Sequence, residues 1–432
     1  MLRRSALAFI LTACTVSCAG TMKGGDAAGG GAPSAGGSTS SGGATTTGGA
    51  QGAGGSTASG GSTASGGTPG TGGQSSSGGG GGSGGTTNSG GANGVALDPP
   101  NCPTVSSLPV RLVGRNDGCA VPGVRQAWSG TGFVAAINGT GLLFEQDGPS
   151  VEYSVIVDGT EQNKIVTQAG RNAITAVADL PSGEHTIEVY RRGEASFGAT
   201  TLYAVEADGG LTVAPPAAPS RLIEVIGDSI SCGYGNEGAD TSCGFSADTE
   251  NHYMAYGAIL GRTFDADVST VAWSGRGVVS NYNGEAGPTL PDLYERAIPD
   301  DETSIWDFAG NKAADLVIIN LGTNDYSTDH DPTDQTFVAT YSALLEVLRA
   351  HYPKAAILCT VGPMLSGTDL DTARANIAAA VATRVSAGDS KVRAYELMTP
   401  NDSPGCDWHP TIATHTAMAS ELAPVVAEML DW

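Results

Sequence analysis

Three short segments carry the residue types that acyl transfer from an ester requires. Gly227-Asp228-Ser229 places a serine directly after an apolar, β-prone run (Leu222, Ile223, Val225, Ile226) and before a Gly-rich turn. That is how a buried strand ends when it lifts one hydroxyl to the sheet edge. Gly322-Thr323-Asn324-Asp325 follows a second apolar run, Leu316 to Leu321, and brings a side-chain amide to a matching place. Near the C-terminus, Asp407-Trp408-His409-Pro410 supplies a carboxylate and an imidazole. Cleaving an ester with serine needs a base for the hydroxyl proton, donors for the tetrahedral oxyanion, and a group that orients the base. All three kinds of residue occur here, in the order a serine hydrolase needs.

Competing residues can be weighed one by one. Ser231 is a second serine, but two positions on it is better placed to cap the following turn. Of the six histidines, His185 lies in a β-patterned run and His351 near a helix end, both structural settings. His252 opens a helix and His415 falls inside the last helical pattern. His330 sits with Asp329, Asp331 and Asp334 in an acidic loop, where helix capping is commoner than calcium binding, so no metal is expected. His409 starts a helix after a Gly-containing loop and is the best base. Asp407, at i−2, reaches its Nδ1 only if the loop bends; a backbone carbonyl or Asp402 is the alternative.

From Arg221 onward the pattern that must position these residues alternates strand and helix. Strands are predicted at 221–226, 266–272, 315–321, 355–361 and 391–397. Helical stretches are predicted at about 251–264, 333–350, 369–387 and 411–430, the second capped by Asp331 with Pro332 in its first turn. Uniformly apolar strands between helices mean an α/β fold with a doubly wound parallel sheet covered on both faces, whose sites lie at the strands' carboxyl ends. Ser229, Gly275 and Asn324 all fall just past such ends. Residues 108 to about 213 read instead as short alternating strands separated by Asn138-Gly139, Asp158-Gly159 and Ser182-Gly183, a β-sandwich of jelly-roll type. A Pro-rich segment, 215–219, closes it. The expected domains are thus a β-sandwich at 98–218 and a catalytic domain at 219–432.

The N-terminus reads as a targeting segment, residues 1–20. Arg3 and Arg4 precede a short apolar stretch, Ala6 to Ala13, too short to span a bilayer. Leu11-Thr12-Ala13-Cys14 resembles a bacterial lipoprotein box, with Cys14 as the lipidated residue and Cys18 as its rival. Such an anchor would hold an exported chain at the cell envelope without spanning the membrane. Residues 21–97 are Gly, Ser, Thr and Ala with almost no apolar bulk, a flexible tether with an r.m.s. reach of roughly 45 Å. Formal charge is −23, which argues against nucleic acid as a partner. Eight cysteines in an exported chain favour disulfides. Beyond Cys14 and Cys18 they fall into the sequence-close pairs Cys102/Cys119 and Cys232/Cys243 and the distant Cys359/Cys406. The last pair would clamp the Asp407 loop to a strand end, although sequence leaves connectivity open.

The catalytic region resembles the SGNH, or GDSL-type, hydrolase superfamily in four blocks. These are Gly227-Asp228-Ser229, the glycine of Ser274-Gly275-Arg276-Gly277, the asparagine of Gly322-Thr323-Asn324-Asp325, and the histidine of Asp407-Trp408-His409-Pro410. The resemblance implies a flavodoxin-like sheet. It also implies Ser229 as nucleophile and an oxyanion hole built from the amides of Ser229 and Gly275 and the Asn324 side chain. Gly277 is the weaker choice for the second block. The superfamily usually spaces its acid three residues before the histidine, whereas Asp407 stands two before His409. A β-domain carrying Gly114-Arg115-Asn116-Asp117, Ala127-Trp128-Ser129-Gly130 and Gly139-Thr140-Gly141 ahead of such a domain looks like carbohydrate esterase family two. That resemblance implies an acetyl esterase of xylan and glucomannan, without cofactor and monomeric, with Trp408 or Tyr326 stacking on a sugar ring. A lipase or thioesterase of the same superfamily and a non-catalytic sugar-binding lipoprotein are the competing readings.

Overall fold

The computed structural model describes residues 108–118 and 123–432. The export signal, Cys14, the 21–97 tether and the Cys102/Cys119 pair lie outside the described residues. No helix among the described residues is long and apolar enough to cross a membrane.

Residues 110–213 form two antiparallel sheets. One is built on the path Val110–Val113, Gly132–Gly139, Gly183–Arg191, Glu152–Val157 and Thr160–Glu161. The other runs Asn116–Asp117, Val124–Gln126, Thr200–Asp208, Gly141–Asp147 and Asn172–Val177. Phe133, Val155 and Val189 from the first sheet meet Leu142, Phe144 and Val205 from the second in one core, as a sandwich requires. Asp158 and Gly159 both take positive φ (49° and 78°) and join Val157 to Thr160 in a two-residue hairpin. The primed turn demands that conformation of both residues.

The second half is a five-stranded parallel sheet of β1 (Arg221–Gly227), β2 (Ala266–Ala272), β3 (Leu316–Asn320), β4 (Ala356–Val361) and β5 (Val392–Glu396). Its order is β2-β1-β3-β4-β5, the flavodoxin-like arrangement. Helices α1 (Ser229–Cys232), α2 (Tyr256–Thr263), α3 (Leu290–Leu293), α4 (Thr323–Tyr326), α5 (Asp334–His351), α6 (Gly367–Ser386) and α7 (Ile412–Leu430) follow in sequence. Ile223, Val225, Leu316 and Ile318 face α2 and α7, while Ile226, Val317 and Ile319 face α5 and α6. Both faces of the inner strands β3 and β4 are therefore buried, which is why they read as nearly unbroken apolar runs, while the edge strands β2 and β5 carry polar residues. The cap of α5 differs from expectation. Thr333, not Asp331, accepts the bond from the Thr336 amide, and Pro332 precedes the cap, two residues before the first helical residue, Asp334.

One charged residue breaks the apolar pattern of β1. Glu224 is buried on the α5 side and accepts from Arg115 Nη2 (3.1 Å), Tyr294 Oη (2.7 Å) and Tyr352 Oη (3.1 Å). Arg115, itself fully buried, comes from the sandwich. Arg111 bonds Asp267 at 2.6 Å, and the Trp128 indole donates to the Arg296 carbonyl at 3.2 Å. Gly130 sits at φ +73° against the His252 ring, where a Cβ would lie 2.3 Å from the ring carbon. Trp128, Ala127 and Ala195 belong to the same apolar cluster as β3 and α5. The described residues make one compact unit, and the sandwich motifs Gly114-Arg115 and Trp128-Gly130 are its seam.

Candidate active site

Each candidate side chain is delivered by the end of a strand. β1 closes at Gly227, where a Cβ would strike Ser231 Oγ at 2.0 Å. Asp228 then caps α1, its Oδ1 accepting from the Ile230 amide at 3.0 Å. Ser229 follows as the first helical residue, so its own N–H has no partner within the helix. Burial pushes the Asp228 carboxyl up to about 7, opposed by its bond from Ile230. Ser231, expected to cap the turn, instead shares a buried hydrogen bond with the Tyr256 hydroxyl at 3.0 Å.

After β2 the chain turns sharply, the Arg276 amide donating to the Trp273 carbonyl at 3.2 Å. Gly275 holds the third position at φ +79°, a conformation costly for any residue with a Cβ. No acceptor among the described residues bonds the Gly275 amide. Gly277, the rival glycine, donates its amide to Asn281 Oδ1 at 3.3 Å and packs against Asp325. It is structural. After β3, Gly322 turns at φ +116° and α4 presents Asn324, whose Nδ2 donates to the Arg276 carbonyl (2.9 Å) and to Asp228 Oδ2 (3.3 Å). The next residue, Asp325, accepts from the amides of Val278 (2.8 Å), Val279 (2.7 Å) and Ser280 (2.9 Å). Sequence reasoning passed over it; its only signal is its place beside Asn324. Ser229 and Asn324 thus flank the β1/β3 switch point, where sheets of this order bind ligands.

The imidazole of His409 reaches Ser229 Oγ with Nε2 at 2.8 Å. Its Nδ1 faces the carbonyls of Asp407 (3.0 Å) and Cys406 (3.2 Å). Carbonyls only accept, so Nδ1 carries the proton and Nε2 is left to accept from the serine. The Asp407 carboxylate does not bond the ring; its Oδ2 accepts from the Tyr234 hydroxyl at 2.5 Å. Of the two alternatives weighed from sequence, the backbone carbonyl is the one realised. The reason is local: Asp407 (φ 47°) and Trp408 (φ 61°) both adopt left-handed backbone, which turns the carbonyls of 406 and 407 toward the ring. Asp402 is exposed and makes no bond to His409. Burial drives His409 down to about 4, opposed by the two carbonyls and by the Asp407 charge.

This loop is held by a disulfide that sequence proximity misassigned. Cys406 pairs with Cys243, 163 residues away, and the Asp407 amide donates to the Cys243 carbonyl at 3.1 Å. Cys232 and Cys359, expected to pair with Cys243 and Cys406, are free buried thiols, the first at the end of α1 and the second within β4. Tyr234 lies against His409, ring centroids 3.9 Å apart, and stacks in turn on Phe245 (5.1 Å), which stacks on Phe197 (5.0 Å) of the sandwich. Trp408 is 63% exposed at the mouth. Tyr326 is not available to a ligand. It is buried in the core and accepts from Asn376 Nδ2 at 2.9 Å, because α4 turns it inward against Phe337. Among the described residues, Glu194, Cys232 and Glu250 have donor atoms within 4.8 Å of one another, all buried. The Glu194 carboxylate is already engaged by Ser196 and Ser274.

Comparison with known proteins matches two families. Residues 225–417 match the GDSL-like Lipase/Acylhydrolase family, and residues 112–216 match the Carbohydrate esterase 2 N-terminal family. The cellulase/esterase CelE of Acetivibrio thermocellus is 38% identical over 323 residues, 74% of this chain and 39% of that protein. This chain therefore corresponds to well under half of that relative's length. An acetylxylan esterase/glucomannan deacetylase of Cellvibrio japonicus is 32% identical over 282 residues, covering 64% of this chain and 76% of that protein. A solved family two carbohydrate esterase from Clostridium thermocellum, in complex with cellohexaose, superposes with a TM-score of 0.72. It is 36% identical over 75% of this chain and 99% of that one.

Proposed function

We propose, from the premise that this chain belongs to the family 2 carbohydrate esterases, that it is an acetyl esterase removing O-acetyl groups from polysaccharides such as xylan and glucomannan. The observation that carries the reading is the 2.8 Å contact between His409 Nε2 and Ser229 Oγ, with Nδ1 held by two carbonyls. In this mechanism His409 Nε2 takes the Ser229 proton as Oγ forms a bond to the acetyl carbon. The carbonyl electron pair moves onto oxygen, where the amides of Ser229 and Gly275 and the Asn324 side chain receive it. The 3.3 Å bond from Asn324 to Asp228 is the weaker of its two and is the one the oxyanion would displace. Collapse breaks the bond to the sugar oxygen, which leaves with the proton from His409. Water then attacks the acetyl-serine, giving a proton to His409; as the bond to Ser229 Oγ breaks, His409 Nε2 returns that proton to Oγ and acetate is released.

In this reading the sugar chain lies along the Trp408 face, outside the His409–Tyr234–Phe245 stack. Exposed aromatic side chains beside the base, Trp408 and Phe245, suit a neutral glycan. The backbone carbonyls take the orienting role expected of Asp407. Acetate release by the full chain from acetylated xylan and acetylated glucomannan, beside a medium-chain ester, tests the proposal with Ser229→Ala as control. Release that vanishes in the variant supports it. Activity on the longer acyl chain alone would make the protein a lipase, and silence from a folded protein would leave a sugar-binding role. Attachment to the bacterial envelope through Cys14 belongs to the same reading and rests on the N-terminal residues. Cys14→Ser should move the protein from the membrane fraction to the soluble one.

A further inference from the structure

The turn that presents the Gly275 amide has no regular structure on its far side. The chain from Trp273 to Asn281 is loop throughout. Asp325 grips it at residues 278–280 and Asn324 at Arg276, both from the catalytic domain itself. The Tyr282 amide donates to the Gly275 carbonyl at 2.8 Å. Ser274, the residue before Gly275, is gripped from elsewhere. Its amide donates to Glu194 Oε2 at 2.9 Å and its hydroxyl donates to the same oxygen.

Glu194 belongs to the sandwich, in the segment after its Gly183–Arg191 strand. It is 1% exposed. Its other oxygen accepts from Ser196 Oγ at 2.6 Å, which fixes the carboxylate plane. The buried guanidinium of Arg191 locks the segment that carries it, bonding the carbonyls of Gly193 (3.1 Å), Glu194 (3.0 Å) and Gly198 (2.7 Å). The Arg192 carbonyl accepts from the His252 amide at 3.0 Å, so the segment is also tied to the catalytic domain. A segment of one sheet system thus ends on one residue of the other, next to an amide that has no acceptor among the described residues.

We infer that Glu194 is a positioning residue for the oxyanion hole, through which the β-sandwich sets the place of the Gly275 amide. The inference rests on the esterase reading above. The Gly275 amide belongs to the peptide unit that joins it to Ser274, so a shift of Ser274 passes directly to it. A displacement on the order of 1 Å at a catalytic group costs roughly 10²-fold in rate. Outright loss of one oxyanion donor costs about 10²–10³-fold, which bounds the effect from above. Glu194 does not touch the sugar, so ground-state binding should be spared.

The test uses the full chain with Glu194→Ala and Glu194→Gln. Two quantities are read: kcat and KM for acetylated xylan, and the affinity for a small alkyl boronic acid, which adds to Ser229 Oγ and places an oxygen where the oxyanion forms. Glu194→Ala should lose about 10- to 100-fold in kcat with KM within about threefold, and boronate affinity should fall by a similar factor. Glu194→Gln keeps an oxygen for Ser274 and should recover to within about fivefold of wild type. A Glu194→Ala kcat within about threefold of wild type would overturn the inference. So would a kcat loss with unchanged boronate affinity, or a glutamine variant as impaired as alanine. If Glu194→Ala does not fold, Ser274→Ala decides: it gives up the hydroxyl bond alone and should lower both readouts about 3- to 10-fold, and no change would overturn the inference. A wild-type protein that releases no acetate refutes the esterase reading instead, and the boronate affinities then still read the turn.

Discussion

Replacing Asp407 with asparagine separates two ways of orienting a catalytic histidine. Where a buried carboxylate bonds Nδ1, its loss costs about 10⁴-fold in kcat, or roughly 5 kcal/mol. Here Nδ1 is held by the carbonyls of Cys406 and Asp407, and neither bond is lost in Asp407→Asn. Asparagine tolerates the φ of 47° at this position and can still accept from the Tyr234 hydroxyl, so the loop and the ring stacked on His409 are kept. What disappears is one negative charge, partly exposed to solvent, that favours the imidazolium formed in the transition state. Such a charge outside hydrogen-bond reach contributes on the order of 1 kcal/mol, so kcat should fall about 5- to 20-fold. The assay is kcat for acetate release from an activated aryl acetate, which needs no sugar contacts, repeated on acetylated xylan. A loss of 10³-fold or more on both would refute orientation by the backbone and restore Asp407 to the triad. The pH profile adds a signed check. The Asp407 charge raises His409, so its removal should move the acid limb of kcat/KM to lower pH.

Four further outcomes follow from the same geometry. The base works only when neutral, and burial holds His409 down to about 4, so wild-type kcat/KM should retain about 90% of its maximum at pH 5. An imidazole at its ordinary value would retain about 3%, and an acid limb near pH 6.5 would contradict the burial. Cys243→Ser opens a closure spanning 163 residues around the loop that carries both Nδ1 acceptors. It should lower stability by up to about 5 kcal/mol on chain entropy, and Tm with it, and should lower kcat as well; a lower Tm with unchanged kcat would separate the disulfide from the base. Trp408→Ala should raise KM for acetylated polysaccharide severalfold while sparing the aryl acetate, and equal effects on both would count against a sugar contact. Arg115→Ala leaves Glu224 buried without its cation, which should destabilise the protein by about 3–5 kcal/mol in urea unfolding. A change below about 1 kcal/mol would mean that the seam does not depend on that pair.

The sequence by itself determined the elements and the order of the catalytic blocks. The strands of the parallel sheet fall within one residue of their predicted ends; for the inner strands the reason is burial on both faces, which demands apolar residues, and a glycine where the chain turns off the sheet. Ser229, Gly275 and Asn324 were legible as candidates because each stands just past a strand end, and His409 because it stands between a Gly-containing loop and a helix start. Other features depended on what lies opposite in space, which local patterning does not encode. Cys406 found Cys243 across 163 residues, not a neighbour in sequence. Two left-handed residues gave His409 its carbonyl partners and turned the Asp407 carboxylate toward Tyr234. The pitch of a four-residue helix sent Tyr326 into the core while leaving Asn324 in the site. Glu194 reads in the sequence as one acid in a loop of the sandwich, and only the docking of the two sheet systems sets it on Ser274. Periodicity reports which face of an element is buried; the partner that buries it is chosen by the packing of the whole chain.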